Sequence, residues 1–230
     1  YRRQRQMCIR DRRYIATREG VERLAGNGAV TKGQRELIQK LLTDFPDAVE
    51  LLEYEDYCKT PTLGTASAFI TMALDANLHG IDSESGYMQY IATRPRVQKH
   101  GSHGLFSSST SVDLASAMSE LEAHEGNVWT IIYSLRREDA ARLEFDNADA
   151  WRTLLMENAP TLAKSMKISL DNFHWYAAFH DEGNHPHVHM MAWSAKPNQA
   201  YLSKDGIRQI KSTLTNQIFR QELLHVYEQK

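Results

Sequence analysis

The chain has 230 residues, 42% of them hydrophobic and 24% charged, with a formal net charge of −2. This is the make-up of an ordinary globular protein of one domain to one and a half, and it excludes collagen-like, disulfide-scaffold and fully disordered classes. No apolar run approaches the roughly 20 residues of a membrane helix; the longest, Ala66 to Ala76, is interrupted by Thr71 and Asp75. Taken in chain order, residues 32–44 carry the first helical stripe, Leu37, Ile38, Leu41 and Leu42. Pro46 opens a second helix over 46–57. Lys59-Thr-Pro-Thr-Leu-Gly64 breaks the pattern, and a third helix over 65–79 ends at Gly80. Residues 101–111, rich in Gly and Ser, read as a loop, and Ser111 caps a helix running to about His124. Val128 to Leu135 is rich in β-branched and aromatic residues and reads as a strand. Helices follow near 138–145 and 147–167. Phe173–His180 and His187–Trp193 read as two strands of a hairpin, joined by Asp181-Glu-Gly-Asn184. An amphipathic helix spans 203–228. Late strands with helices between them predict an α+β fold, a sandwich of helices on an antiparallel sheet.

The first residues, Tyr1-Arg-Arg-Gln-Arg-Gln-Met-Cys-Ile-Arg-Asp-Arg12, begin without methionine and resemble translated sequencing-adapter read-through. Residues 1–13 are therefore expected to be non-native, leaving 14–230 as the domain. That domain is expected to continue in a longer protein, because the chain stops inside a helical pattern at Glu228-Gln-Lys230. Without residues 1–13 there are 21 basic and 28 acidic side chains, a net of −7, and Cys58 alone remains of the two cysteines, Cys8 and Cys58. Cysteine this sparse, with no apolar leader, predicts a reducing, cytoplasmic setting. A net of −7 weighs against generic nucleic-acid binding by a broadly basic surface. It leaves room for a local groove at Arg94, Arg96, Lys99 and His100, which read equally as a solvated loop.

Four of the ten histidines lie in His180-Asp-Glu-Gly-Asn-His185-Pro-His187-Val-His189. Alternate residues of a strand face one way, so His187 and His189 share a side with Val188 opposite. On the partner strand His174, Tyr176, Ala178 and His180 share a face, and Phe173, Trp175, Ala177 and Phe179 share the core-like one. The hairpin then brings His180 across from His187 and His189. Three converging imidazoles with open positions left over make a catalytic metal-site pattern. Isolated histidines would read as surface or hydrogen-bonded core residues; the three together do not. His185 is a fourth ligand, a proton acceptor or a bystander. Asp181, Glu182 and Asn184 either orient the ligands, a carboxylate accepting an imidazole N–H, or are plain turn residues.

A short repeat is the second signal. Tyr14-Ile-Ala-Thr-Arg18-Glu-Gly-Val21 recurs as Tyr90-Ile-Ala-Thr-Arg94-Pro-Arg-Val97. A tyrosine with an arginine four residues on suits phosphate chemistry: the phenol can attack phosphorus, and the guanidinium can hold a phosphate oxygen. Two similar helix starts with buried Tyr and Ile would give the same pattern.

The histidine string and the repeated Tyr-Ile-Ala-Thr-Arg together resemble the relaxases of plasmid mobilisation, most closely the MobP/MobL-type branch. These are HUH endonucleases, named for a His–hydrophobic–His motif, here His187-Val188-His189. Ser102-His-Gly-Leu-Phe106 and Ser134-Leu-Arg-Arg-Glu-Asp139 look familiar from that group, so the likeness covers most of the chain from Tyr14. It implies an HUH sandwich and a strand transferase that nicks single-stranded DNA at an origin of transfer. Such an enzyme stays joined to the 5′ phosphate through tyrosine and later reseals the ends. It implies a divalent metal, Mg²⁺ or Mn²⁺, on His180, His187 and His189, and Tyr14 as nucleophile with Tyr90 the second choice. His185 and Glu182 are candidates to assist the tyrosine, and Arg18, Arg94 and Arg96 to contact DNA phosphates. Accessory relaxosome proteins and a coupling protein are the implied partners.

Two other classes fit parts of the pattern. His185-Pro-His187-Val-His189 is similar to the histidine-triad nucleotide hydrolases, where His187 would be the nucleophile without metal, leaving His180 and both Tyr-Ile-Ala-Thr-Arg segments unexplained. A non-catalytic origin-binding module of the same fold is the other. Metal dependence separates the first from a relaxase, and a covalent-adduct assay the second.

Overall fold

The computed structural model describes residues 27–77, 83–94, 96–109 and 111–220. The chain divides into two compact units, residues 1–81 and 82–230. In the first, helix α1 (Lys32–Asp44) starts on a reciprocal cap, with Gln34 N donating to Thr31 Oγ1 and the Gln34 side chain accepting from Thr31 N. The predicted helix over 46–57 is instead a 3₁₀ turn (Pro46–Glu50) and helix α2 (Leu52–Lys59), broken at Leu51, whose backbone is extended. Helix α3 (Leu63–Asn77) supplies Ala66, Phe69, Ile70 and Ala73 to a core shared with Ile38, Leu41 and Ala48.

The second unit is the expected α+β sandwich. Its elements are α4 (Glu84–Thr93), β1 (Leu105–Phe106), α5 (Leu114–Glu122), β2 (Val128–Ser134), α6 (Arg137–Arg142), α7 (Ala148–Ser165), β3 (Phe173–His180), β4 (His187–Ser194) and α8 (Lys204–Ile218). Among the described residues the four strands of its sheet are wholly antiparallel, in the order β1-β3-β4-β2. β3 and β4 form the predicted hairpin. One face carries Trp175, Ala177, Phe179, Val188, Met190 and Ala192 into the main core, against Trp151, Leu155 and Leu162 of α7 and Ile210 and Leu214 of α8. The opposite face carries His174, Tyr176, His180, His187, His189 and Trp193. α5 reaches it through Glu120, which pairs with His174 and accepts from Tyr176 Oη at 3.0 Å.

Three elements of this unit differ most from the sequence expectation. Helix α4 lies where the chain-order reading places no element, and the Tyr90 segment, read alternatively as a helix start, is its last turn. Residues 101–111 are not all loop, for Leu105 and Phe106 pair with Ala178 and Ala177 as an edge strand. Helix α5 starts two residues later than expected, because the Asp113 carboxylate rather than Ser111 accepts the Ser116 N–H.

Candidate metal centre

The site is built by register. His180 is the direct partner of His187, and Ala178 the partner of His189, so the three histidines come together on one face of the hairpin. Beyond β1, which pairs only with residues 177 and 178, the outer side of β3 is closed by a strap. Gln98 N donates to the Phe179 carbonyl at 2.9 Å, Val97 bridges His180, and Asp181 N donates to the Arg96 carbonyl at 3.0 Å. Ring centroids lie 5.2 Å apart for His180 and His187, 4.8 Å for His180 and His189, and 5.0 Å for His187 and His189. All three residues are no more than 1% exposed.

One nitrogen of each ring has a hydrogen-bond partner and the other has none. His180 Nε2 is 2.8 Å from the Ile91 carbonyl oxygen, and His187 Nδ1 is 3.0 Å from the His185 carbonyl oxygen. A carbonyl only accepts, so His180 carries its proton on Nε2 and His187 on Nδ1, which leaves lone pairs on His180 Nδ1 and His187 Nε2. His189 Nδ1 lies 2.9 Å from Tyr87 Oη. The buried atoms without a partner include His180 Nδ1, His187 Nε2 and His189 Nε2. Each of the three histidines offers one nitrogen to a group whose members lie within 4.8 Å of one another.

Burial is the main reason the imidazoles stay neutral. It pulls His180 and His189 well below the usual histidine range and His187 down to about 4, with neighbouring imidazoles and the Arg94 guanidinium adding to the effect. Three neutral imidazoles, each with a buried nitrogen lacking a partner and the other nitrogen hydrogen-bonded, are a donor set that fits a divalent metal.

A family model described as MobL relaxases matches residues 11–230. The chain belongs to the MobL relaxases. Neither a curated protein nor a solved structure matches it. Among the described residues of this MobL chain, no helix is long and apolar enough to cross a membrane.

Other sequence-predicted residues of the MobL chain occupy distinct places. Tyr14 and Arg18 lie outside the described residues. Tyr90 is half-buried on α4, with the Arg94 guanidinium 5.3 Å above its ring. Arg94 is itself buried and ion-paired to Glu182, whereas Arg96 is exposed, in the left-handed region at φ 67°. The four-residue basic cluster is therefore split, with Arg94 inside and Arg96 and Lys99 outside. His185 is buried in the β3–β4 loop, and its carbonyl orients His187. The carboxylates read either as acceptors of imidazole N–H groups or as turn residues pair with arginines instead, Glu182 with Arg94 and Asp181 with Arg137 at 2.6 Å. Two carbonyls and a phenol take the place of carboxylates around the imidazoles.

Helix α4 is what sequence reasoning missed. Tyr87, Ile91 and Arg94 stand at i, i+4 and i+7, one stripe running from α4 to its cap, and all three reach the site: Tyr87 to His189, the Ile91 carbonyl to His180, and Arg94 to Glu182. The carbonyl is available for a covalent reason. In a longer helix it would accept from residue 95, and Pro95 has no N–H. The spacing Tyr87-x-x-x-Ile91-x-x-Arg94 is visible in the sequence once 84–93 is read as helical.

Proposed function

We propose that this MobL relaxase is a metal-dependent HUH-type strand transferase that nicks single-stranded DNA at an origin of transfer and so initiates conjugative mobilisation. The observation that carries the reading is the convergence of three partnerless imidazole nitrogens, in a chain of relaxase family. His180, His187 and His189 would hold the metal. All-nitrogen donors suit Mn²⁺ better than Mg²⁺, which prefers oxygen. When bound, the metal supplies polarisation of the scissile phosphate and stabilisation of charge on its oxygens. The chain's own residues supply the rest. The phenolic oxygen of Tyr14, with Tyr90 the second candidate, attacks phosphorus. A bond from tyrosine oxygen to phosphorus forms and the bond to the 3′ oxygen breaks, leaving a 5′-phosphotyrosine and a 3′ hydroxyl. The phenol proton passes to a neighbouring acceptor, for which His185 and Glu182 are the candidates, and the 3′ oxygen takes up a proton. One phosphoester replaces another, so resealing needs no nucleotide. Arg96 and Arg18 contact the strand's phosphates, whereas Arg94, buried and ion-paired to Glu182, is not placed to do so. Tyr133 and Tyr176 are poor nucleophiles, since burial pushes both phenols up, Tyr176 to about 12 with help from Glu120. The proposed setting is the bacterial cytoplasm, with relaxosome proteins and a coupling protein as partners.

The test is a covalent-adduct assay. The chain, as it stands and with residues 1–13 replaced by the start recovered from its source DNA, meets labelled single strands tiled across the DNA beside its gene, with Mn²⁺ or Mg²⁺. The expected result is label that stays with the protein through denaturing detergent, requires metal, and is lost in Tyr14→Phe. Loss in Tyr90→Phe alone moves the nucleophile to the second candidate. Metal-independent nucleotide hydrolysis that needs His187 would overturn the relaxase chemistry in favour of a histidine-triad hydrolase. No adduct on any strand from a folded, metal-loaded chain would leave a non-catalytic origin-binding module.

A further inference from the structure

Two of the three candidate ligands have their protons fixed by carbonyl oxygens. The third does not, because the partner of His189 Nδ1 is the hydroxyl of Tyr87, which can donate or accept. The two arrangements differ in outcome. If Tyr87 donated, the His189 proton would sit on Nε2, aimed among the lone pairs of His180 and His187, and His189 could not be a ligand. If Tyr87 accepts, the proton sits on Nδ1 and Nε2 becomes the third lone pair.

We infer that Tyr87 is a positioning residue that accepts the His189 Nδ1–H and thereby makes His189 a metal ligand. Its ring is held for the task. Tyr87 is 5% exposed on α4, packs edge-on against His189 with centroids 6.2 Å apart, and shares its helix face with Ile91, whose carbonyl does the same for His180. One helix thus sets two of the three tautomers, and the chain's own His185 carbonyl sets the other. A phenol here, rather than a carboxylate, holds the ring without adding negative charge to a buried centre. Outer partners of this kind typically change metal affinity by 10–100-fold.

The inference rests on the metal-centre reading, and the test separates the two. Mn²⁺ affinity is measured by calorimetry on the full chain for wild type, Tyr87→Phe and Tyr176→Phe. The last loses a half-buried phenol on the same sheet face that is bonded to Glu120 instead. The expected result is Mn²⁺ binding by wild type, unchanged in Tyr176→Phe and weakened about 10–100-fold in Tyr87→Phe. Wild type that binds no Mn²⁺ would remove the metal-centre reading itself. Wild-type binding with equal affinity in folded Tyr87→Phe would overturn the role of Tyr87 alone. Should Tyr87→Phe not fold, imidazole ¹⁵N spectra of the metal-free wild type decide: a proton on His189 Nδ1 upholds the inference, and a proton on Nε2 overturns it.

Discussion

A glycine two residues before β1's second strand residue shows how tightly the strap beside the histidines is fitted. A Cβ at Gly104 would fall 2.2 Å from Val97 Cγ2 and 2.7 Å from the Gln98 carbonyl oxygen. Gly104 N also donates to the Ala92 carbonyl at 2.8 Å, tying the end of α4 to the strap. Gly104→Ala must therefore push residues 97 and 98 outward, and Gln98 is the residue that bonds the backbone next to His180. Overpacking of this kind costs about 1–3 kcal/mol. The expected outcome is a loss of that size in chemical denaturation together with weaker Mn²⁺ binding; wild-type values for both would show that the strap yields freely. The neighbouring His103 is equally structural, since its Nδ1 accepts from Leu105 N at 3.1 Å and its Nε2 donates to the Val112 carbonyl at 3.0 Å. That accounts locally for three residues of the Ser102-His-Gly-Leu-Phe106 stretch.

At the scale of elements, α7 carries the plainest flaw. Pro160 lies inside it, so the Met156 carbonyl loses its partner four residues on, and both side chains are at the surface. Proline in a helix interior is about 3 kcal/mol less favourable than alanine. Pro160→Ala is expected to raise the denaturation midpoint, by up to about that amount; an unchanged or lower midpoint would mean that the packing of α7 needs the proline's geometry. The contrast between α4 and the β3–β4 hairpin shows what is legible before folding. The hairpin is strongly patterned: Phe173–His180 and His187–Ser194 alternate as read, with the expected start and end to within a residue, and so do the three histidines that meet on it. Helix α4 is not, because Ser85, Gly86 and Thr93 are weak helix formers and its stability comes from burying Tyr87, Met88, Ile91 and Ala92. β1 is two residues long and exists only because β3 lies beside it. Tyr87 was hidden with its helix, and the ion pairs of Asp181 and Glu182 were hidden because their arginines are 44 and 88 residues away in sequence.

For the whole molecule, a metal held by the three histidines would tie stability to the ion. An ion that binds the folded chain alone stabilises it by about 2.7 kcal/mol at a hundred times its dissociation constant. For a domain of this size each kcal/mol moves the melting temperature by roughly 2–4 °C. Titration with Mn²⁺ is expected to raise the melting temperature progressively, by about 5–10 °C at that concentration, and His187→Ala should abolish the rise. A wild type that melts at one temperature whatever the Mn²⁺, or a variant that still responds, would count against the three histidines as the binding group.

Because Pro95 leaves the Ile91 carbonyl without a helical donor, the proton of His180 is fixed by the end of a helix and not by another side chain. Metal binding at His180 and docking of α4 would therefore be reciprocal: an ion drawn to the Nδ1 lone pair would favour the tautomer that needs α4 seated, and so would seat α4 by the same free energy. Undocking of that helix would let the imidazole proton migrate between nitrogens and turn a ligand into a bystander with no change in covalent structure. A helix that touches no ion would thus act as the keeper of the coordination sphere.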